Sequence, residues 1–210
     1  MVIFRRIIRF HKKSAAVSSR GFTLIEMLMV VAIIILITAA TLANNAKFGG
    51  AVLLQNLAYD IALSVREAQV YGISVHRFNN SFTAPFGMHF DTTGGNQYVY
   101  VLFADAGASG PGNGLYDSDE LVQSTNITRG YYIAQLCTSP TNGAEVCGHT
   151  TLDVTYQHPE PDAYIRADGD TAAPLYQSAR IVVAAPRGDT MNICLGRNGD
   201  ISVHGGTTCY

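Results

Sequence analysis

Three groupings in the 210-residue sequence have residue types and spacing suited to chemistry. Glu26 is the only ionisable side chain from Phe22 to Ala43, in "FTLIEMLMVVAIIILITAATLA". Cys137, Cys147, Cys194 and Cys209 all lie in the second half of the chain. Asp105, Asn113, Asp117, Asp119 and Glu120 share one Gly-rich stretch, "DAGASGPGNGLYDSDE".

The isolated carboxylate is the most demanding of these. A run of 22 residues at about 1.5 Å each spans roughly 33 Å, enough for the hydrocarbon core of a bilayer. A charge inside such a helix costs about 2.5–3.5 kcal/mol at the centre and less near an interface, so it normally has a partner. No Lys or Arg lies between Phe22 and Lys47. The missing cation can be an α-amino group made by cutting between Gly21 and Phe22. In a helical stack of copies, Glu26 of one subunit then meets the new amine of its neighbour. Two plainer readings compete, a membrane anchor and a Sec signal peptide. The anchor leaves Glu26 unexplained. The signal peptide fits the basic head, but the apolar run is long for it and ends in Thr41-Leu42-Ala43 rather than A-x-A.

Charge is divided along the chain. Six of the 14 basic residues fall within 1–21 with no acid, leaving eight basic against 16 acidic from Phe22 onward, a net charge of −8. A basic head before an apolar run keeps the N-terminus cytoplasmic and sends the remainder across the membrane.

Cysteines beyond a membrane segment favour disulfides. Sequence order favours Cys137–Cys147 and Cys194–Cys209, with three pairings open and buried free thiols as the alternative. The acid-rich stretch offers the oxygen ligands Ca²⁺ prefers, without EF-hand spacing. Asp, Asn and Gly also favour turns, so a solvated hairpin loop is the stronger expectation and no other cofactor is indicated. His76, His89, His149, His158 and His204 are scattered, and neither H-E-x-x-H nor G-x-S-x-G occurs, so no enzyme is expected.

The elements that must hold these residues can be read from periodicity. Residues 44–50, "NNAKFGG", predict a kink or short break after the apolar helix, since two glycines each cost about 1 kcal/mol relative to Ala. Leu54, Leu57, Ile61, Val65 and Ala68 then step by three and four, with Gln55, Asp60, Arg66, Glu67 and Gln69 between them. That spacing predicts an amphipathic helix ending near Tyr71-Gly72, with the glycine as C-cap. From Ile73 on, "SVHRF", "FGMHF", "YVYVLFA", "YYIAQL", "LDVTYQ", "AYIRA", "ARIVVAA", "MNICL" and "DISVH" alternate with turn residues. They predict an antiparallel structure of two sheets over the helix, an α+β chain.

Arg20-Gly21-Phe22-Thr23-Leu24-Ile25-Glu26 and the apolar run behind it resemble the N-terminal signal of type IV pilins and type II secretion pseudopilins. The "FGMHFD", "YVYVLFAD" and "GNGLYDSDELV" stretches resemble the GspH/FimT group of minor pilins. The resemblance implies a leader over 1–21, a membrane and assembly helix over 22–43, its amphipathic continuation over 44–72 and a β-rich head over 73–210. It implies that a prepilin peptidase cuts between Gly21 and Phe22 and methylates Phe22, and that Glu26 registers the subunit. The implied partners are other pilin subunits, the peptidase, an inner-membrane assembly platform and the bilayer. The implied location is the inner membrane, with the head on the periplasmic side and a filament after assembly. The lesser alternative in that group is DNA capture by a Gly-Arg-x-Arg stretch. The matching place here reads Gly196-Arg197-Asn198-Gly199-Asp200, so only Arg180, Arg187 and Arg197 offer a patch and nucleic acid is an improbable partner for an acidic body.

Co-expression with a prepilin peptidase is expected to yield an intact mass lacking residues 1–21 and carrying one added methyl. A mature chain starting at Asn44 would support the Sec reading instead.

Overall fold

A computed structural model describes residues 21–74, 76–78, 82–106, 112–171, 176–206 and 208–209, without the side chains of 43–48. Apart from Gly21, the expected leader lies outside the described residues. The chain divides within its one long helix into two compact units, Met1–Asn45 and Ala46–Tyr210.

That helix, α1, is Leu24–Ile73. Its backbone is helical through 44–50, so of the kink or short break expected there the break is absent. The two glycines cost about 2 kcal/mol together. A break would leave up to four N–H and four C=O groups without intrahelical partners, at about 0.5–1.5 kcal/mol for each lost bond, so continuity prevails. In the second unit α1 buries Leu54, Ala58, Ile61, Val65 and Ala68, while Leu57 is half-buried. The opposite face is not uniformly polar, since Val52, Tyr59, Leu63 and Val70 are exposed.

Ten strands follow among the described residues: β1 (Phe86–Asp91), β2 (Val99–Ala104), β3 (Leu121–Asn126), β4 (Tyr132–Ser139), β5 (Val146–Cys147), β6 (Thr151–Tyr156), β7 (Ala163–Ala167), β8 (Ser178–Ala184), β9 (Thr190–Gly196) and β10 (Ile201–Gly205). They form two five-stranded sheets, ordered β3-β2-β1-β6-β7 and β10-β9-β8-β4-β5. Every strand pairing is antiparallel, with Phe86 opposite both Ala104 and Tyr156 in the first sheet. The fold is therefore α+β. One core joins the α1 stripe to Met88, Phe90, Leu152, Val154 and Ile165 of the first sheet and Ile133, Leu136, Ile181, Val183 and Ile193 of the second. Alternation along β1 sends Met88 and Phe90 into this core and leaves His89 and Asp91 half-buried on the other face.

Two strands were not anticipated, and one that was is absent. β3 is exposed at five of its six positions, so it carries no apolar alternation to read. β5 is only two residues long. The segment "SVHRF" contributes only an isolated bridge at Phe78 among its described residues.

The end of α1 also differs from expectation. Gly72 lies inside the helix, and its role is close approach rather than capping. A Cβ there would stand 2.4 Å from the Tyr156 carbonyl oxygen and 2.9 Å from the Tyr156 Cβ. One turn earlier, buried Gln69 donates from Nε2 to the carbonyls of Pro161 at 3.0 Å and Gly199 at 3.2 Å. The first follows β6 and the second follows β9, so one amide ties the helix to both sheets.

Gly72→Ala is expected to lower the thermal midpoint of the detergent-solubilised chain. Overpacking against Tyr156 costs about 1–3 kcal/mol, which exceeds the gain of up to about 1 kcal/mol from helix propensity. A raised midpoint in a circular-dichroism melt would show that the helix–strand contact is not tight.

Candidate functional site

Gly21, Phe22 and Thr23 form irregular backbone immediately ahead of α1, with Phe22 76% exposed. The Gly21–Phe22 bond thus lies outside helical structure. Thr23 begins the helix: its carbonyl accepts from the N–H groups of Glu26 at 3.1 Å and Met27 at 3.2 Å, and its Oγ1 accepts from Glu26 N at 3.3 Å. Thr23-Leu24-Ile25-Glu26 has the spacing of a capping box, which gives Glu26 a local role beside any pairing with an amine. A first-turn carboxylate gains about 0.3–1 kcal/mol from the helix dipole, less than the cost of a charge deep in lipid. Capping alone therefore does not settle the charge.

Leu24–Leu42 is long and apolar enough to cross a membrane, with a mean hydropathy of 2.6 and none of it buried. Its two threonine hydroxyls suit that setting. Thr38 donates to the Ile34 carbonyl at 2.8 Å and Thr41 to the Ile37 carbonyl at 3.1 Å, so neither hydroxyl is left unpaired.

In the second unit the cysteines are bonded as Cys137–Cys147 and Cys194–Cys209. Cys137 and Cys147 face each other across the β4–β5 ladder. Arg180 of β8 lies beside them, donating from Nε to Glu145 Oε1 at 2.8 Å and from Nη2 to Glu145 Oε2 at 2.5 Å. Nη1 donates to Asn192 Oδ1 at 3.2 Å, and the paired carboxylate pushes the guanidinium pKa up. Among the described residues, Cys137, Glu145 and Cys147 are the one group of three metal-capable side chains with ligand atoms within 4.8 Å of one another, but both sulfurs are spent in the disulfide.

The acid-rich stretch folds inward on itself. Asp105 is buried and accepts from the N–H groups of Asn113 and Gly114, both at 2.9 Å. Burial pushes its pKa up against the pull of those two N–H groups and of the Arg166 charge. Asn113 accepts from Leu115 N at 2.8 Å and donates to Asp117 at 3.2 Å, while Glu120 accepts from Asp117 N at 3.1 Å. Asp119 is exposed. Asp105, Asn113, Asp117 and Glu120 therefore each use an oxygen to shape their own loop. No three of the acids converge at cation-binding distance among the described residues.

Two histidine pairs carried no sequence signal, because their partners come from distant strands. His89 Nδ1 lies 2.7 Å from Asp153 Oδ1, which also accepts from Tyr116 N at 3.2 Å. His149 bridges further, with Nε2 2.8 Å from Thr138 Oγ1 and Nδ1 2.7 Å from Asp168 Oδ2. Hydroxyl, imidazole and carboxylate stand in the order of a nucleophilic triad. Thr138, however, is fully buried, so no substrate carbonyl can reach its oxygen. The row instead links β4 of one sheet to the end of β7 in the other.

The three arginines considered for DNA do not form a patch. Arg180 is buried in its ion pair with Glu145. Arg187 and Arg197 sit in the turns at opposite ends of β9, seven residues or roughly 24 Å apart along the strand. Gly196–Asp200 is a tight turn, in which Asn198 Oδ1 accepts from Asp200 N at 3.2 Å and Gly199 (φ 79°) lies against Gln69.

Residues 17–42 match the prokaryotic N-terminal methylation motif. The match takes in the apolar Leu24–Leu42 and supports a type IV pilin-like prepilin at this N-terminus. No curated protein and no solved structure matches the chain.

Asp168 sets a pH dependence. Burial pushes its carboxyl up, but the His149 ring, the Thr150 hydroxyl and the N–H groups of Thr150 and Thr151 outweigh that and bring it from 3.8 to about 2. Because the folded value is depressed, this stabilisation is present above pH 3.8 and lost as pH falls towards about 2. The thermal midpoints of wild type and Asp168→Asn should therefore differ above pH 4 and converge near pH 2. A constant difference across that range would rule out the carboxylate charge as the cause.

Proposed function

We propose that the chain is processed between Gly21 and Phe22 and that the mature protein is a minor subunit of a type IV pilus or a type II secretion pseudopilus. Its work is assembly rather than catalysis. The methylation motif at 17–42 carries this reading, because it joins a cleavable glycine, an exposed Phe22 and a first-turn Glu26 to an apolar helix. Before assembly, Leu24–Leu42 holds the subunit in the inner membrane with the β head on the periplasmic side. In the filament the same residues exchange lipid for neighbouring helices. Glu26 then faces the methylated amine of another subunit, and the apolar surroundings strengthen that ion pair. The bilayer, the prepilin peptidase, the assembly platform and other pilin subunits are its partners in turn.

Glutamine can also occupy the third position of a capping box, so Glu26→Gln keeps the helix start and removes only the charge. The variant should be cleaved and methylated as wild type yet be lost from sheared filaments by at least about tenfold, the worth of 1.4 kcal/mol. Filament incorporation at the wild-type level would overturn the pairing role of Glu26.

A further inference from the structure

The surroundings of the Cys137–Cys147 bond are polarised in a way that a purely structural cross-link does not require. Cys137 is fully buried on β4, whereas Cys147 is exposed on β5, at the edge of its sheet. Arg180 Nη2 stands 3.3 Å from the Cys137 sulfur and 3.4 Å from the Cys147 sulfur. One of the two Nη2 hydrogens serves Glu145 Oε2, and the other is left to face both sulfurs. Glu145 also grips Nε, which holds the guanidinium plane in place. Behind it, buried Asn192 accepts from Nη1 and donates from Nδ2 to the Gly206 carbonyl at 2.6 Å. The cation is thus fixed against the disulfide from two sides.

Thiol–disulfide exchange needs an accessible sulfur to attack and a leaving thiolate that is stabilised as it forms. The first is Cys147 and the second is Cys137, beside a cation that lowers the cost of a sulfur anion. We propose that Cys137–Cys147 is a thiol-exchange site that accepts a thiolate of a protein or small molecule at Cys147 and releases Cys137 as a thiolate held by Arg180. In the first step the incoming sulfur bonds to Cys147 Sγ, the Cys137–Cys147 bond breaks, and its electron pair goes to Cys137 Sγ. The product is a mixed disulfide on Cys147. A second thiolate of the same class then attacks the incoming sulfur. It forms a disulfide with that sulfur and releases Cys147 as a thiolate, which takes a proton from water. The protein disulfide gains two electrons, and the two thiols lose them.

The same geometry gives Glu145 an opposing effect. Its carboxylate lies 3.7 Å from Cys147 Sγ, where it repels an arriving anion and partly neutralises Arg180. Removing Arg180 and removing Glu145 should therefore change the exchange rate in opposite directions. A purely structural role predicts that both losses loosen the β4–β5 edge and speed reduction.

The test uses the full chain in detergent and 2-mercaptoethanol, a neutral monothiol, with acid quenching and peptide mass mapping. Cys194–Cys209 serves as the internal reference. The adduct is expected on Cys147, with Cys137–Cys147 opening at least about tenfold faster than the reference bond. Arg180→Gln should slow opening by about fivefold or more, Arg180→Lys should restore part of the rate, and Glu145→Gln should raise it. An adduct on Cys137, equal opening of the two disulfides, or faster opening in Arg180→Gln would each overturn the proposal.

Discussion

The β head depends on one helix face shared by two sheets. Ala58, Ile61, Val65 and Ala68 are fully buried, and they belong to the same core as strands from both five-stranded sheets. Alanines at both ends of that stripe flank branched Ile61 and Val65, so the helix can approach the strands closely. Gly72 takes this furthest, meeting the Tyr156 backbone where any side chain would collide. At about 25 cal/mol per Å² of apolar surface, such a stripe contributes far more than any single polar contact in the head.

Polar groups then secure what the core leaves open. Gln69 reaches both sheets with one amide, and the Thr138–His149–Asp168 row joins them through side chains. Asp105 organises its loop by accepting two backbone N–H groups. Gln69, Thr138 and Asp105 are buried with partners, the condition under which polar burial is tolerated, while Asp168 is exposed. Arg180 belongs to the same pattern and also places a cation against a disulfide.

The first unit follows different physics. Its membrane-length segment of 19 residues, Leu24–Leu42, is apolar apart from Glu26, Thr38 and Thr41, and none of it is buried. Such exposure is costly in water and neutral in lipid or among other helices, so the segment is built for one of those settings. Glu26 is the exception in that composition. The cap at Thr23 accounts for its position in the first turn, while the gain from capping is too small to account for its charge.

The sequence by itself determined the parts that depend on neighbours along the chain. Hydrophobic length, the basic head and the Gly-Phe-Thr-Leu-Ile-Glu order are local, and the methylation motif was legible from them. Most strands were legible too, because alternation is a local pattern, and "AYIRA" coincides with β7. β3 was missed because an edge strand with both faces wet shows no alternation, and of the kink or short break expected at 44–50 the break is absent because it would forfeit helical bonds. Only the tertiary structure decided the polar sites. His89 meets Asp153 across 64 positions, Arg180 meets Glu145 across 35, and His149 meets Asp168 across 19. Those pairs form when strand order and register bring distant residues together, and neither composition nor spacing records strand order.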